Sequence, residues 1–112
     1  METQIQSPHL TVRPKLQEFI YEKMDKLEKL FDRFEGAMVT LKVDKTAKKE
    51  NKYAEVSLRM PGLKMFAKDN AATFEQAVVM AIEQIKKQIR KHKDRIKNVQ
   101  PNGDELIETD II

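Results

Sequence analysis

Apolar residues in the first third of the chain recur at steps of three and four. This spacing places them on one face of an α-helix, and charged residues fill the opposite face. Pro14 suits the first turn of such a helix, where its missing N–H costs nothing, and Gly36 is a natural stop at the other end. We therefore predict a first helix over residues 14–35. Its apolar positions are Leu16, Phe19, Ile20, Leu27, Leu30, Phe31 and Phe34.

Four short segments alternate apolar and polar residues with a period of two. This period is typical of strands with one buried face. In the second segment, for example, Val39, Leu41 and Val43 alternate with Thr40 and Lys42. A tight turn at residues 61–62, Pro-Gly, separates the last two segments. The predicted strands are "TQIQ" (3–6), "AMVTLKVDK" (37–45), "YAEVSLRM" (53–60) and "LKMFAKD" (63–69).

A second long helical pattern covers residues 70–98, with Asn70 or Thr73 as the candidate N-terminal cap. The order β-α-β-β-β-α predicts an α+β fold, a two-layer sandwich in which two helices pack on one face of a four-stranded sheet. We assign residues 1–98 to this domain and residues 99–112 to an acidic, flexible C-terminal tail. The apolar stripe of the second helix comprises Phe74, Val78, Ile82, Ile85, Ile89 and Ile96.

Composition narrows the class of protein. The 112 residues suit one domain. Cysteine is absent, which excludes disulfides and thiolate chemistry and is compatible with a reducing cytoplasm, the expected location. No apolar run is long enough for a membrane span, and the N-terminus does not read as a secretory signal. The net charge of +3 is unevenly distributed along the chain. Residues 84–97 hold seven bases and one acid, whereas residues 98–112 hold four acids and no base.

The basic segment "KKQIRKHKDRIK" (86–97) continues the isoleucine stripe while carrying two rows of cations. Like charges at i,i+4 spacing repel by a few tenths of a kcal/mol, although a solvated helix end that complements the helix dipole is an ordinary alternative. Phosphate is the partner that closely spaced Lys and Arg favour. No aromatic residue follows Phe74, so this helix is suited to RNA backbone rather than to stacking on bases. The first row is Lys86, Arg90, Lys93 and Lys97, and the second is Lys87, Lys91 and Arg95.

Catalytic chemistry has little support in the residues. His92 flanks the apolar stripe, where a neutral, partly buried imidazole is expected rather than a metal ligand. The three glycines form no phosphate loop, and the carboxylates sit at helix-surface spacing beside lysines. We predict a protein that is not an enzyme, with no cofactor, no metal site, no small-molecule substrate and no membrane contact.

Three motifs resemble the family of ribosome hibernation-promoting factors, which includes ribosome-associated inhibitor A. They are "KLEKLFDRFEG" (26–36), "VTLKVDK" (39–45) and "KKQIRKHKDRIK" (86–97), and the resemblance runs over about residues 2–98. It implies the same fold and binding to the small ribosomal subunit near the decoding centre. There such proteins block the mRNA and tRNA sites and inhibit translation in stationary or starved bacterial cells. We also expect the protein to be monomeric off the ribosome.

The resemblance implies that the basic end of the second helix contacts ribosomal RNA, with Lys26 and Lys29 of the first helix as weaker candidates. Residues 73–79, "TFEQAVV", depart from the Asp-x-Tyr-x-Ala-Ile-Asp-like pattern of many members, so no role is carried over to them. The length indicates a short form, and the acidic tail is closer in composition to members that oppose ribosome dimerisation. The implied rRNA-binding residues are Lys86, Lys87, Arg90, Lys91, Lys93, Arg95 and Lys97.

Two other functions fit the same residues. One is a general double-stranded RNA-binding module, since helix-on-sheet domains of that class also present a basic helix end to phosphates. The other is a protein-interaction or regulatory domain whose basic helix meets an acidic protein, in keeping with the family's older label as sigma-factor modulators.

Overall fold

The chain folds in the predicted order β-α-β-β-β-α. The computed structural model describes residues 2–31 and 34–98, with side chains as far as Lys93. The predicted tail, residues 99–112, lies outside this part of the chain. The elements are β1 (Glu2–Gln6), α1 (Pro14–Leu30), β2 (Gly36–Val43), β3 (Lys52–Met60), β4 (Leu63–Ala71) and α2 (Phe74–Asn98).

The four strands form one sheet in the order β1-β2-β3-β4. Strand β1 runs parallel to β2, and α1 makes the connection between them, as parallel neighbours require. The other two pairs are antiparallel. The turn between β3 and β4 uses Gly62 at φ +71°, a conformation that glycine adopts without the steric cost of a side chain.

One hydrophobic core joins both helices to one face of the sheet. Alternate strand residues such as Val39, Val56 and Ala67 are buried in it. Ile20 on α1 and Ile85 on α2 have no exposed surface. Both helices therefore cover the same face, as the period-two and period-3.6 patterns predicted. The other face of the sheet carries the remaining, alternate side chains.

The predicted C-terminal end of the first helix is wrong by five residues. Helix α1 ends at Leu30, and Phe31 has extended backbone angles, φ −145° and ψ 125°. Phe34 follows the helix and still packs into the core, with 9% of its surface exposed. The apolar spacing therefore continues past the end of the helix. Gly36 is not the helix stop but the first residue of β2, where an added Cβ would lie 2.7 Å from Nη2 of Arg59.

Thr73 is the N-terminal cap of α2. Its Oγ1 accepts a hydrogen bond from the backbone N–H of Gln76 at 3.1 Å. Asn70, the other candidate, belongs to β4 instead, and its Nδ2 donates to Oδ2 of Asp44 at 3.1 Å. Asp44 also accepts hydrogen bonds from the hydroxyl and the backbone N–H of Thr46. These bonds favour the carboxylate and hold the pKa of Asp44 below its ordinary value.

Candidate nucleic-acid interface

The apolar stripe of α2 fixes the direction in which its basic residues point. Val78, Ala81, Ile82, Ile85 and Ile89 are all buried against the sheet and α1. On a helix, residues three and four positions apart share a face, so the positions between these buried residues must face the flanks or solvent. The cations of α2 are therefore displayed by a rigid, core-anchored element rather than by a loose segment.

Two glutamines hold one flank of α2 against the edge of the sheet. Gln88 Nε2 donates to the backbone carbonyl of Phe66 at 2.9 Å, and Gln84 Nε2 donates to the carbonyl of Lys68 at 3.2 Å. Gln84 also donates to Oδ2 of Asp69 at 3.0 Å. These bonds occupy carbonyls at the outer edge of β4, which would otherwise be open to another strand. These two residues were not among the predicted site residues, although two Gln at i,i+4 spacing beside the apolar stripe are a signal that the sequence contains.

The opposite flank of α2 faces α1. The Nζ of Lys93 lies 4.7 Å from the ring centroid of Phe31, just beyond the end of α1. Near the other end of both helices, Phe19 of α1 lines a pocket together with Val79 and Met80 of α2. The two helices therefore run in parallel, and their C-terminal ends lie side by side. Because the C-terminal end of a helix carries partial negative charge, cations are favourable in this place.

Four of the predicted cations are exposed along the basic half of α2. Lys87, Arg90, Lys91 and Lys93 all have solvent-accessible side chains. Four residues advance a helix by about 6 Å, so Lys87 and Lys91 stand one turn apart. Within residues 84–93 the sequence contains no acid, which leaves this stretch strongly positive.

Lys86 differs from its neighbours. Its Nζ lies 3.0 Å from Oε2 of Glu83, and its side chain is only 28% exposed. This ion pair offsets one of the seven positive charges of the basic segment. Arg95 and Lys97 lie on the helical backbone of α2, but their side chains are outside the described part of the chain.

The two weaker candidates are on the surface of α1. Lys26 is exposed and lies 3.7 Å from the Glu22 carboxylate, a pairing that partly neutralises it. Lys29 is exposed in the last turn of α1. The parallel arrangement of the helices places Lys29 at the same end of the molecule as Lys91 and Lys93. Lys29 is therefore better positioned than Lys26 to extend the basic surface.

The arrangement suits an extended polyanion. Several exposed ammonium and guanidinium groups at one-turn spacing can contact successive phosphates and release their counterions. Within residues 2–31 and 34–93, no group of three or more His, Asp or Glu side chains is arranged to hold a metal ion. None of the helices in this part of the chain is long and apolar enough to cross a membrane.

Comparison with known families gives an independent result. Residues 3–97 match the family model described as sigma 54 modulation protein / S30EA ribosomal protein. A ribosome hibernation promoting factor from Acinetobacter guillouiae is 29% identical over 107 residues, covering 90% of this chain and 95% of that protein. The ribosome hibernation promoting factor of Escherichia coli K12 is also 29% identical, over 97 residues that cover 87% of this chain and 98% of that protein.

Solved structures agree on the fold. A ribosomal subunit interface protein from Coxiella burnetii superposes with a TM-score of 0.75, covering 84% of this chain and 99% of that one at 17% identity. The N-terminal domain of Thermus thermophilus Protein Y superposes with a TM-score of 0.68, covering 81% of this chain and 98% of that one at 20% identity. At these identities the likeness establishes the architecture alone.

Proposed function

The chain belongs to the family of sigma 54 modulation proteins and S30EA ribosomal proteins, and on this premise we propose that it is a ribosome hibernation factor. In this proposal the basic half of α2 binds ribosomal RNA on the small subunit near the decoding centre. The bound domain blocks the mRNA and tRNA sites and inhibits translation in stationary or starved bacterial cells. The protein acts in the cytoplasm, without a cofactor, and is monomeric off the ribosome.

The observation that carries the proposal is the row of exposed cations on a helix anchored in the core. Lys87, Arg90 and Lys91 form no ion pair with any carboxylate in the described part of the chain. Like charges one turn apart raise the energy of the folded protein slightly. A cost of this kind is offset when a polyanion binds, because each phosphate contact releases counterions. The names of the curated relatives indicate which polyanion to test first.

The test is co-sedimentation with small ribosomal subunits at fixed salt. The variant is the triple substitution Lys87→Gln, Arg90→Gln and Lys91→Gln, which leaves the Glu83–Lys86 pair and the packing of Lys93 on Phe31 intact. Losing three phosphate contacts should weaken binding by at least about tenfold. Translation in a cell-free extract should recover in parallel.

A matched control removes three cations from the connection between β2 and β3. Lys45, Lys48 and Lys49 are exposed there, and their replacement by Gln changes the net charge by the same amount. The control should bind within about twofold of the unmodified protein if position rather than total charge matters. Equal losses in the two triple variants would contradict the proposal, as would unchanged binding of the α2 variant.

A further inference from the structure

The outer face of the sheet, which no helix covers, displays an aromatic ring and a methionine on neighbouring strands. Phe66 on β4 is 49% exposed and Met38 on β2 is 38% exposed. Ser57 on β3 lies between them in the register, opposite Met38 on one side and Phe66 on the other. Directly opposed residues in a sheet lie about 5 Å apart. The small Ser57 therefore leaves a shallow gap between two apolar side chains.

This gap continues into an open pocket of about 180 Å³ on the same face. Ser57, Met38, Arg59 and Lys64 are among its lining residues. Space for the guanidinium of Arg59 exists because Gly36 has no side chain, since a Cβ at Gly36 would lie 2.7 Å from Nη2 of Arg59. The pocket thus combines an apolar wall with the Ser57 hydroxyl and the Arg59 guanidinium as donors and the Glu2 carboxylate as an acceptor. The edge of a nucleobase carries both acceptors and donors, so it has a partner for each.

Cations flank the exposed ring on its own strand. Side chains two residues apart on a strand point to the same face at a spacing of about 7 Å, which places Lys64 and Lys68 on either side of Phe66. Neither lysine pairs with a carboxylate among the described residues. The Glu55 carboxylate opposite Lys68 instead accepts a hydrogen bond from the hydroxyl of Tyr53.

Tyr53, the other aromatic residue named on this face, already has a lysine over its ring. The Nζ of Lys42 lies 5.8 Å from the ring centroid of Tyr53. The Tyr53 hydroxyl is neutral near pH 7, as for any tyrosine, and burial with the neighbouring Glu55 carboxylate raises its pKa further. Phe66 is the open stacking surface.

We propose that the outer face of the sheet binds a short stretch of unpaired RNA, with one base stacked on Phe66. The edge of that base lies in the pocket beside Ser57 and Arg59, and Lys64 and Lys68 contact the phosphates on either side. Aromatic residues on an open sheet face are a recurrent platform for unpaired bases, since every base offers a π-face. This second RNA-binding surface goes beyond the phosphate contact of α2 and does not depend on it.

The chemistry of the face favours nucleic acid over protein. A partner strand would pair with an edge, and Gln84 and Gln88 occupy carbonyls along the edge of β4. An apolar protein surface would need a larger continuous patch than one ring and one methionine interrupted by Arg59 and Lys64.

The experiment uses Phe66→Trp as a fluorescent reporter of base stacking, because the unmodified chain contains no tryptophan. It is made in the full-length protein together with Lys87→Gln, Arg90→Gln and Lys91→Gln, so that binding through α2 is suppressed. A ten-nucleotide single-stranded RNA is added at low salt, and the indole fluorescence should be quenched as a base stacks on it. The same sequence as a duplex should quench far less. Phe66→Ala in the same background carries no tryptophan, so its binding is followed by the anisotropy of a dye-labelled single strand, and its affinity should be at least about fivefold lower than that of the protein with Phe66.

Tyr21→Trp is the control, because Tyr21 is an aromatic residue of α1 with similar exposure. RNA should leave its fluorescence unchanged. Equal quenching at positions 21 and 66, equal quenching by duplex and single strand, or no quenching at position 66 would each overturn the inference. The ribosome proposal is judged separately by co-sedimentation, so either one can fail while the other stands.

Discussion

Helices α1 and α2 pack on the same face of the sheet, in parallel, yet their solvent sides differ. Helix α1 carries four lysines and four acids, with residues such as Glu22 and Lys26 in contact. From Lys86 to Lys97, α2 carries seven cations and one acid. Both helices bury a stripe of apolar side chains against the sheet. The fold therefore needs the stripe, whereas the unbalanced charge of α2 is what the proposed binding to RNA would use.

The difference also shows why anchoring matters for binding. A basic tail would lose conformational entropy when it binds a structured RNA, whereas the cations of α2 already have their direction set by buried isoleucines on one side. On α1 the same kind of anchoring displays four lysines among four acids, so the weaker candidates Lys26 and Lys29 should add little to the attraction of phosphate.

The largest expected effect is on the buried stripes. Ile20→Ala in α1 and Ile85→Ala in α2 each remove a fully buried side chain and leave a cavity. Each should lower the free energy of unfolding by about 2–5 kcal/mol, measured by urea denaturation. Leu30→Ala, at a position that is 55% exposed, should change it by less than about 0.5 kcal/mol. A far smaller loss for Ile85→Ala than for Ile20→Ala would show that α2 is not anchored as α1 is.

A smaller effect is expected from the glutamines that fix the flank of α2. The double substitution Gln84→Ala and Gln88→Ala removes their three hydrogen bonds and should cost about 1–2 kcal/mol of stability. It also exposes the edge of β4, so self-association should increase in sedimentation-velocity runs. Gln76→Ala is the matched control, because that side chain is exposed on the same helix and makes no such bond to β4. Equal stability of the double variant and the control would contradict the role given to these bonds.

The smallest effect concerns Glu83, which pairs with Lys86 of the basic row. Glu83→Gln should free Lys86 and remove a negative charge next to it, strengthening binding to small ribosomal subunits by about two- to fivefold. On α1, Glu22→Gln frees Lys26 in the same way. That change should leave the affinity for small ribosomal subunits nearly unaltered. A gain equal to that of Glu83→Gln would show that the two helices contribute alike to binding.

Sequence periodicity predicted the fold class, the order of elements and most of the buried stripes, because these follow from local spacing. Leu30 is the exception in the first stripe, since 55% of its surface is exposed. The helix end was misplaced because Phe34 keeps the apolar spacing although the chain has already left the helix. The cations were found from sequence, but the pairing of Lys86 with Glu83 was not, since it depends on rotamers. The outer-face row of Met38, Ser57 and Phe66 required the strand register, which no short-range pattern supplies.

The most direct test of the central claim is the salt dependence of binding to small ribosomal subunits. The slope of log affinity against log salt counts the phosphates that a protein neutralises. The α2 variant with Lys87→Gln, Arg90→Gln and Lys91→Gln should have a slope shallower by about 2–3 units. An α1 variant with Lys15→Gln, Lys26→Gln and Lys29→Gln should change it by less than about one unit. A change at α1 as large as that at α2 would contradict the account.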